Sequence, residues 1–119
     1  MPFVKLVTNL PDHKLSEEFH LALSAKIAKE LNKPEDVSLS QHVSITLECG
    51  RRLSRQRSFA PVCELHVASL ALDTRDKTQP LARAMTDFLH QHTGIPSNRI
   101  LMSFSSPLPH MVGLDGHVI

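Results

Sequence analysis

The residue in this chain with the most chemistry to offer is Pro2, directly behind the initiator methionine. Methionine is commonly trimmed when the next residue is small, and proline qualifies. Trimming makes Pro2 a free secondary amine. An α-amino group titrates near about 7.7–8.0, so a modest local shift brings it to neutral pH. There it can act as a general base with no side chain involved. Its ring fixes φ and holds the lone pair still at the start of a strand. A retained Met1 would leave that nitrogen a tertiary amide with no basicity. Many unrelated chains begin Met-Pro, so the rest of the sequence has to support the reading.

The other reactive residue types form no recognisable motif. There are 8 histidines, but His90 and His92 stand two apart on a helix and point to different sides. No HExxH or Cys/His cluster occurs, so neither a metal nor a cofactor is expected. His66, between Glu64 and Ala68 in the alternation of a strand, reads as an ordinary half-buried or interface histidine. No nucleophile-elbow or Cys-His arrangement is present. Cys49 and Cys63 are the only cysteines, form no CxxC pair, and are expected to be reduced thiols. Arg51, Arg52, Arg55 and Arg57 make a dense basic stretch, and Arg51-Arg52-Leu53-Ser54 fits a loose basophilic kinase pattern. The ordinary reading of that stretch is a solvated loop or edge strand, although repeated around an oligomer it would suit an anionic partner.

The elements that must position these residues follow from periodicity. The 119 residues suggest one domain, 41% hydrophobic and 21% charged, as in a soluble globular protein. A formal net charge of +1 argues against a dedicated nucleic-acid binder. No apolar run approaches a membrane span and no signal peptide is evident, so a cytoplasmic location is expected. Residues 3–8 alternate as a strand. Residues 16–31 read as a helix with Ser16 as N-cap, Glu17 and Glu18 in the first turn, and Phe19, Leu23, Ile27 and Leu31 on one face. Asn32-Lys33-Pro34 ends it, and a second β region lies within 37–48. The order then recurs: a strand at 62–70, a polar connection from Asp73 to Lys77, a helix at 78–92, and a strand at 99–104. Phe19 and Leu81, Leu23 and Met85, Ile27 and Leu89, and Pro34 and Pro96 are all 62 positions apart.

A duplicated β-α-β unit follows, with pseudo-repeats at about 2–48 and 61–105 and a tail at 106–119 expected to hold a short strand or hairpin. The fold class is α/β (α+β): one four-stranded sheet with two helices on one face. The opposite face is expected to carry Val4, Leu6 and Thr8. A sheet apolar on both faces needs cover on both, which points to an obligate oligomer.

Set on this frame, the residues resemble the tautomerase superfamily, and within it the migration inhibitory factor and D-dopachrome tautomerase family. The matching segments are Met1-Pro2, Thr8-Asn9-Leu10-Pro11, Asn32-Lys33-Pro34, Ala60-Pro61-Val62, Ala68-Ser69-Leu70, Asn98-Arg99-Ile100-Leu101 and Val112-Gly113-Leu114-Asp115-Gly116. The resemblance implies a homotrimer with active sites between subunits. It implies Pro2 as the base, Lys33 as the group binding the substrate carboxylate or carbonyl oxygen, and a backbone N–H at Leu70 as an assisting donor. Leu101, Ser103 and Val112 would line the pocket from the adjacent subunit. The chain departs from migration inhibitory factor on the fourth strand, where Leu101 and Ser103 replace a phenol and an amide. Val62 and Leu65 replace its CxxC cysteines, residues 54–58 replace a glycine-rich segment, and the segment between Lys33 and Cys49 is longer.

The chemistry suits these residues. Keto–enol tautomerisation needs a base near neutral pKa and a group to hold the developing enolate oxygen. Burial and a nearby cation both disfavour a protonated Pro2, so Lys33 would lower its pKa as well as neutralise the substrate. Without the resemblance, Lys33 reads as a solvated helix-end lysine favoured by the dipole. The first expectation is a cofactor-independent tautomerase of phenylpyruvate- or D-dopachrome-like small carbonyl compounds. The alternatives are a cytokine-like trimeric ligand for a cell-surface receptor, secreted without a signal peptide, and a pseudoenzyme that binds anionic partners through its arginines.

Overall fold

The computed structural model describes residues 2–31, 43–70 and 72–119. Strand β1 (Phe3–Thr8) alternates, burying Val4, Leu6 and Thr8. Helix α1 (Glu17–Leu31) starts where Ser16 Oγ accepts the Phe19 N–H at 3.1 Å, satisfying one of the orphan donors of the first turn. Strand β2 (Ser44–Glu48) runs parallel to β1. Strand β3 (Cys63–Ala68) runs antiparallel to β1, and β4 (Ile100–Ser105) parallel to β3. The sheet order is β2-β1-β3-β4, so two β-α-β units meet antiparallel along the β1–β3 seam.

Helix α2 (Arg75–Thr93) begins earlier than the expected 78. The N–H groups of Lys77 and Thr78 both reach the Thr74 carbonyl at 3.1 Å, so the polar connection winds into helix. Pro80 therefore lies inside the helix, where it has no N–H to return to the Asp76 carbonyl. The helix stops at Gly94, whose φ of 77° lets its N–H bond the His90 carbonyl at 2.9 Å. The tail closes as a hairpin, β5 (Gly113–Leu114) against β6 (His117–Val118), through Asp115 and Gly116, both at positive φ.

The core lies between the helices and one sheet face. Phe19, Leu23 and Ile27 of α1 and Leu81, Met85 and Leu89 of α2, the residues matched at the constant sequence offset, are all buried there. Val4 (4% exposed) and Leu6 (1%) join this core, and Thr8 (1%) is buried on the same face. The expectation that these three face away from the helices is thus wrong. Alternation sorts a strand into two sets of side chains, but the helix stripe decides which set is covered. The open face carries Phe3, Lys5 and Val7 on β1, Glu64, His66 and Ala68 on β3, and Ser103 and Ser105 on β4. It is largely polar, so it does not itself demand cover by another subunit. The exposed large apolar side chains among the described residues are Phe3 on this face, Leu21 on α1, Phe59, and Leu108, Met111, Leu114, Val118 and Ile119 of the tail. Among the described residues, no helix is long and apolar enough to cross a membrane.

Candidate active site

Pro2 is buried at the head of β1, and its carbonyl accepts the Ser44 N–H of β2 at 3.1 Å. Phe3 pairs with Ala68, so continuing the antiparallel register sets Pro2 opposite Ser69, next to Leu70. Ser69 is itself held by its N–H on the Ser105 carbonyl at 3.0 Å. Pro2 and Leu70 thus share one end of the sheet. At that end a hollow of about 400 Å³ opens between Glu30 and Leu31 at the close of α1, Asp76 and Lys77 at the start of α2, and Leu70 and Leu72. Lys33 and Pro34, two and three positions beyond Leu31, lie outside the described residues, as does Met1.

Leu101 and Ser103 sit apart from Pro2 within one chain. Leu101 pairs with Glu64, and Ser103 with His66, while it is Ser105 that reaches the Pro2 end. Leu101 is four residues from Ser105, about 13 Å along the strand, and β4 is two strand spacings, about 9.6 Å, from β1. Val112 is 5% exposed, buried by its own chain, so outward from that point it offers Met111 and Gly113.

Two residues of the resemblance motifs have a clear structural use. Asn9 Nδ2 donates to the carbonyls of Phe59 (2.9 Å) and Ala60 (3.1 Å), and its Oδ1 accepts the Val62 N–H at 3.0 Å. Arg99 donates to the carbonyls of Pro61 and Ala60 (both 2.9 Å), Ser58 (3.1 Å) and Arg55 (3.3 Å). Together they fasten the arginine-rich loop to the head of β3. Arg51, Arg52 and Arg57 stay exposed, whereas the Arg55 Nε is buried with no hydrogen-bond partner among the described residues. Gln56 and Arg57 hold φ of 52° and 62° at the loop tip, a left-handed pair of the kind that usually recruits glycine or asparagine.

The helix histidines are structural. His90 Nδ1 pairs with the Ile95 carbonyl at 2.8 Å, and the His92 ring lies 4.2 Å from that of Phe88. Both cysteines are free thiols. Burial, with a smaller contribution from Glu64, pushes the Cys63 thiol up to about 12, so it is a poor nucleophile at neutral pH. His66 is half-buried on its strand, as its alternation suggests, and it has two polar partners. Its Nδ1 lies 2.6 Å from Ser103 Oγ and its Nε2 3.5 Å from Glu64 Oε1, on the open face. The Glu64–His66 spacing of two is visible in the sequence, but Ser103 joins them only through the β3–β4 register.

The fold has relatives. The family model for macrophage migration inhibitory factor (MIF) matches residues 1–119. A MIF-like protein of Caenorhabditis elegans is 27% identical over 120 residues, covering all of this chain and 95% of the relative. The D-dopachrome decarboxylase of Mus musculus is 30% identical over 120 residues, covering all of this chain and 98% of the relative. The solved macrophage migration inhibitory factor of Trichinella spiralis has a TM-score of 0.88 over 98% of this chain and 99% of its own, at 22% identity, which is a likeness of fold. With a family model spanning its whole length and a relative at 30% identity across the same span, the chain belongs to the macrophage migration inhibitory factor family.

Proposed function

We propose that this protein is a cofactor-independent keto–enol tautomerase of phenylpyruvate- or D-dopachrome-like carbonyl compounds, with the Pro2 nitrogen as base once Met1 is removed. The observation that carries the reading is the burial of Pro2 at the same end of the sheet as Leu70, which lines an open hollow there. A buried amine disfavours its protonated form, which keeps the lone pair available near neutral pH. In the proposed reaction Pro2 takes a proton from the carbon next to the substrate carbonyl. The Lys33 ammonium and the Leu70 N–H hold the oxygen as it gains charge, and the proton returns to oxygen or carbon to complete the exchange. The relative named for D-dopachrome supports that substrate class.

The assembly proposed is a homotrimer in which Leu101, Ser103 and the Val112 segment of one protomer complete the pocket of the next. The distance of Leu101 and Ser103 from Pro2 within a chain favours that arrangement, and the exposed Leu108, Met111, Leu114 and Val118 of the tail offer apolar surface for it. The proposed location is the cytoplasm, with release from cells by a route needing no signal peptide. The test is phenylpyruvate turnover by Pro2→Gly and Lys33→Ala against wild type. Losses of about 10²-fold or more are expected, and a Pro2→Gly rate equal to wild type would sink the assignment.

One observation favours a second reading. Exposed Arg51, Arg52 and Arg57, with the unpaired Arg55 Nε beneath them, suit an anionic partner. That reading expects partner binding that weakens steeply with salt and negligible tautomerase rates.

A further inference from the structure

The open sheet face carries a cluster of which only Ser103 also enters the proposed tautomerase pocket, and that of a neighbouring protomer. Glu64 and His66 stand two apart on β3 and so project from the same face, and Ser103 is the register partner of His66 on β4. The contacts agree with a single tautomer. A proton on His66 Nε2 points to Glu64 Oε1 at 3.5 Å, leaving Nδ1 to accept the Ser103 hydroxyl proton at 2.6 Å. Lys5, the β1 register partner of His66 on that face, lines a depression of about 260 Å³ beside the pair. Phe3 and Ala68 give this depression an apolar wall, and Ser44 and Thr46 a polar one.

We propose that Ser103, His66 and Glu64 form a second site, a nucleophilic one that hydrolyses short acyl esters. Nucleophile, base and orienting carboxylate are the parts such chemistry requires, and here adjacent strands rather than loops hold them. Ser103 Oγ attacks the acyl carbonyl carbon as its proton passes to His66 Nδ1. Glu64 steadies the imidazolium, and the Lys5 ammonium, which rests 3.6 Å from Glu48 Oε1, turns from that carboxylate to the oxygen that gains charge. The carbon–oxygen bond to the leaving group breaks, and the departing alkoxide takes the proton from His66. Water then attacks the acyl-serine, giving a proton to His66. The carboxylic acid departs and the hydroxyl of Ser103 is restored. The depression is small, which limits the acyl group to a short chain. All these contacts lie within one chain, so the site does not rest on the Pro2 reading. Ser103 also borders the proposed Pro2 pocket of a neighbour, so the two sites are side by side, and His66 and Pro2 are the positions that separate them.

The test is covalent labelling of the intact protein with a fluorophosphonate probe, mapped by peptide mass spectrometry, alongside hydrolysis of 4-nitrophenyl acetate. The expected adduct is on Ser103. Hydrolysis should fall about 10²-fold in Ser103→Ala and in His66→Gln, while Pro2→Gly should label and hydrolyse as wild type does. Ser103 is exposed on an edge strand, and an unchanged circular dichroism melt of Ser103→Ala would show that its loss is chemical. An adduct elsewhere, no adduct, or Ser103→Ala turning over at the wild-type rate would overturn the proposal. Loss of hydrolysis in Pro2→Gly alone would assign the esterase chemistry to the terminal amine instead.

Discussion

Replacing Asn9 by alanine should unfasten the loop that leads into β3, and the cost follows from what the amide holds. Its Oδ1 takes the N–H of Val62, a residue 1% exposed. Leaving a buried donor unpaired costs about 1–3 kcal/mol, and the carbonyls of Phe59 and Ala60, nearer to water, add a smaller loss. The expected total is about 2–3 kcal/mol. Arg99→Lys keeps the charge but loses the planar fork that reaches several carbonyls at once, for an expected cost of about 1–2 kcal/mol. The two side chains share the Ala60 carbonyl, Asn9 at 3.1 Å and Arg99 at 2.9 Å. Once either is gone the loop is already loosened, so the double mutant should lose less than the sum by about 0.5 kcal/mol or more. Urea unfolding of the four proteins measures this, and with a urea slope of about 1–3 kcal/mol per molar the single mutants should shift the midpoint by about 1 M. An Asn9→Ala loss below about 0.5 kcal/mol, or additivity within about 0.3 kcal/mol, would refute the shared-fastener reasoning.

Cys63 should make the fold alkali-sensitive. Its raised thiol stays neutral in the folded state up to about 12, while the unfolded thiol ionises around its ordinary value of 9.0. Its stabilising contribution is therefore intact below pH 9 and declines as pH rises towards 12, at about 1.4 kcal/mol per unit. Urea midpoints between pH 8 and pH 11 should fall more steeply for wild type than for Cys63→Ala, and parallel curves would contradict the linkage. Ser16→Ala should cost about 1 kcal/mol through loss of the α1 cap, read as a lower melting midpoint with the helical signal unchanged; an unaltered midpoint would mean that solvent serves the Phe19 N–H equally well.

Much of the frame was legible because two periodicities and one repeat agree. The constant offset between Phe19 and Leu81, Leu23 and Met85, and Ile27 and Leu89 picked out residues that are all buried in the shared core. Which side of β1 faces that core was not legible, since Val4, Leu6 and Thr8 alternate equally well for either face until a helix stripe is laid against them. The start of α2 was missed because Asp73 to Lys77 is polar throughout, and the carbonyl of Thr74 rather than any apolar residue winds the first turn. Pro2 and Leu70 came out at one end of the sheet, as an antiparallel β1–β3 register requires. Lys33 lies outside the described residues, so its part in the site rests on sequence. The Glu64–His66–Ser103 cluster could not be read from spacing, because its third member is 37 positions from its second and arrives through strand register alone.

The central claim is that the Pro2 nitrogen, freed by loss of Met1, is the base. Its most direct test is phenylpyruvate turnover in preparations whose Met1-free fraction is set by aminopeptidase treatment and counted by intact mass. The account predicts a rate proportional to the Met1-free fraction and extrapolating to zero when every chain retains Met1. A preparation with Met1 fully retained that turns over as fast as the trimmed protein would contradict it.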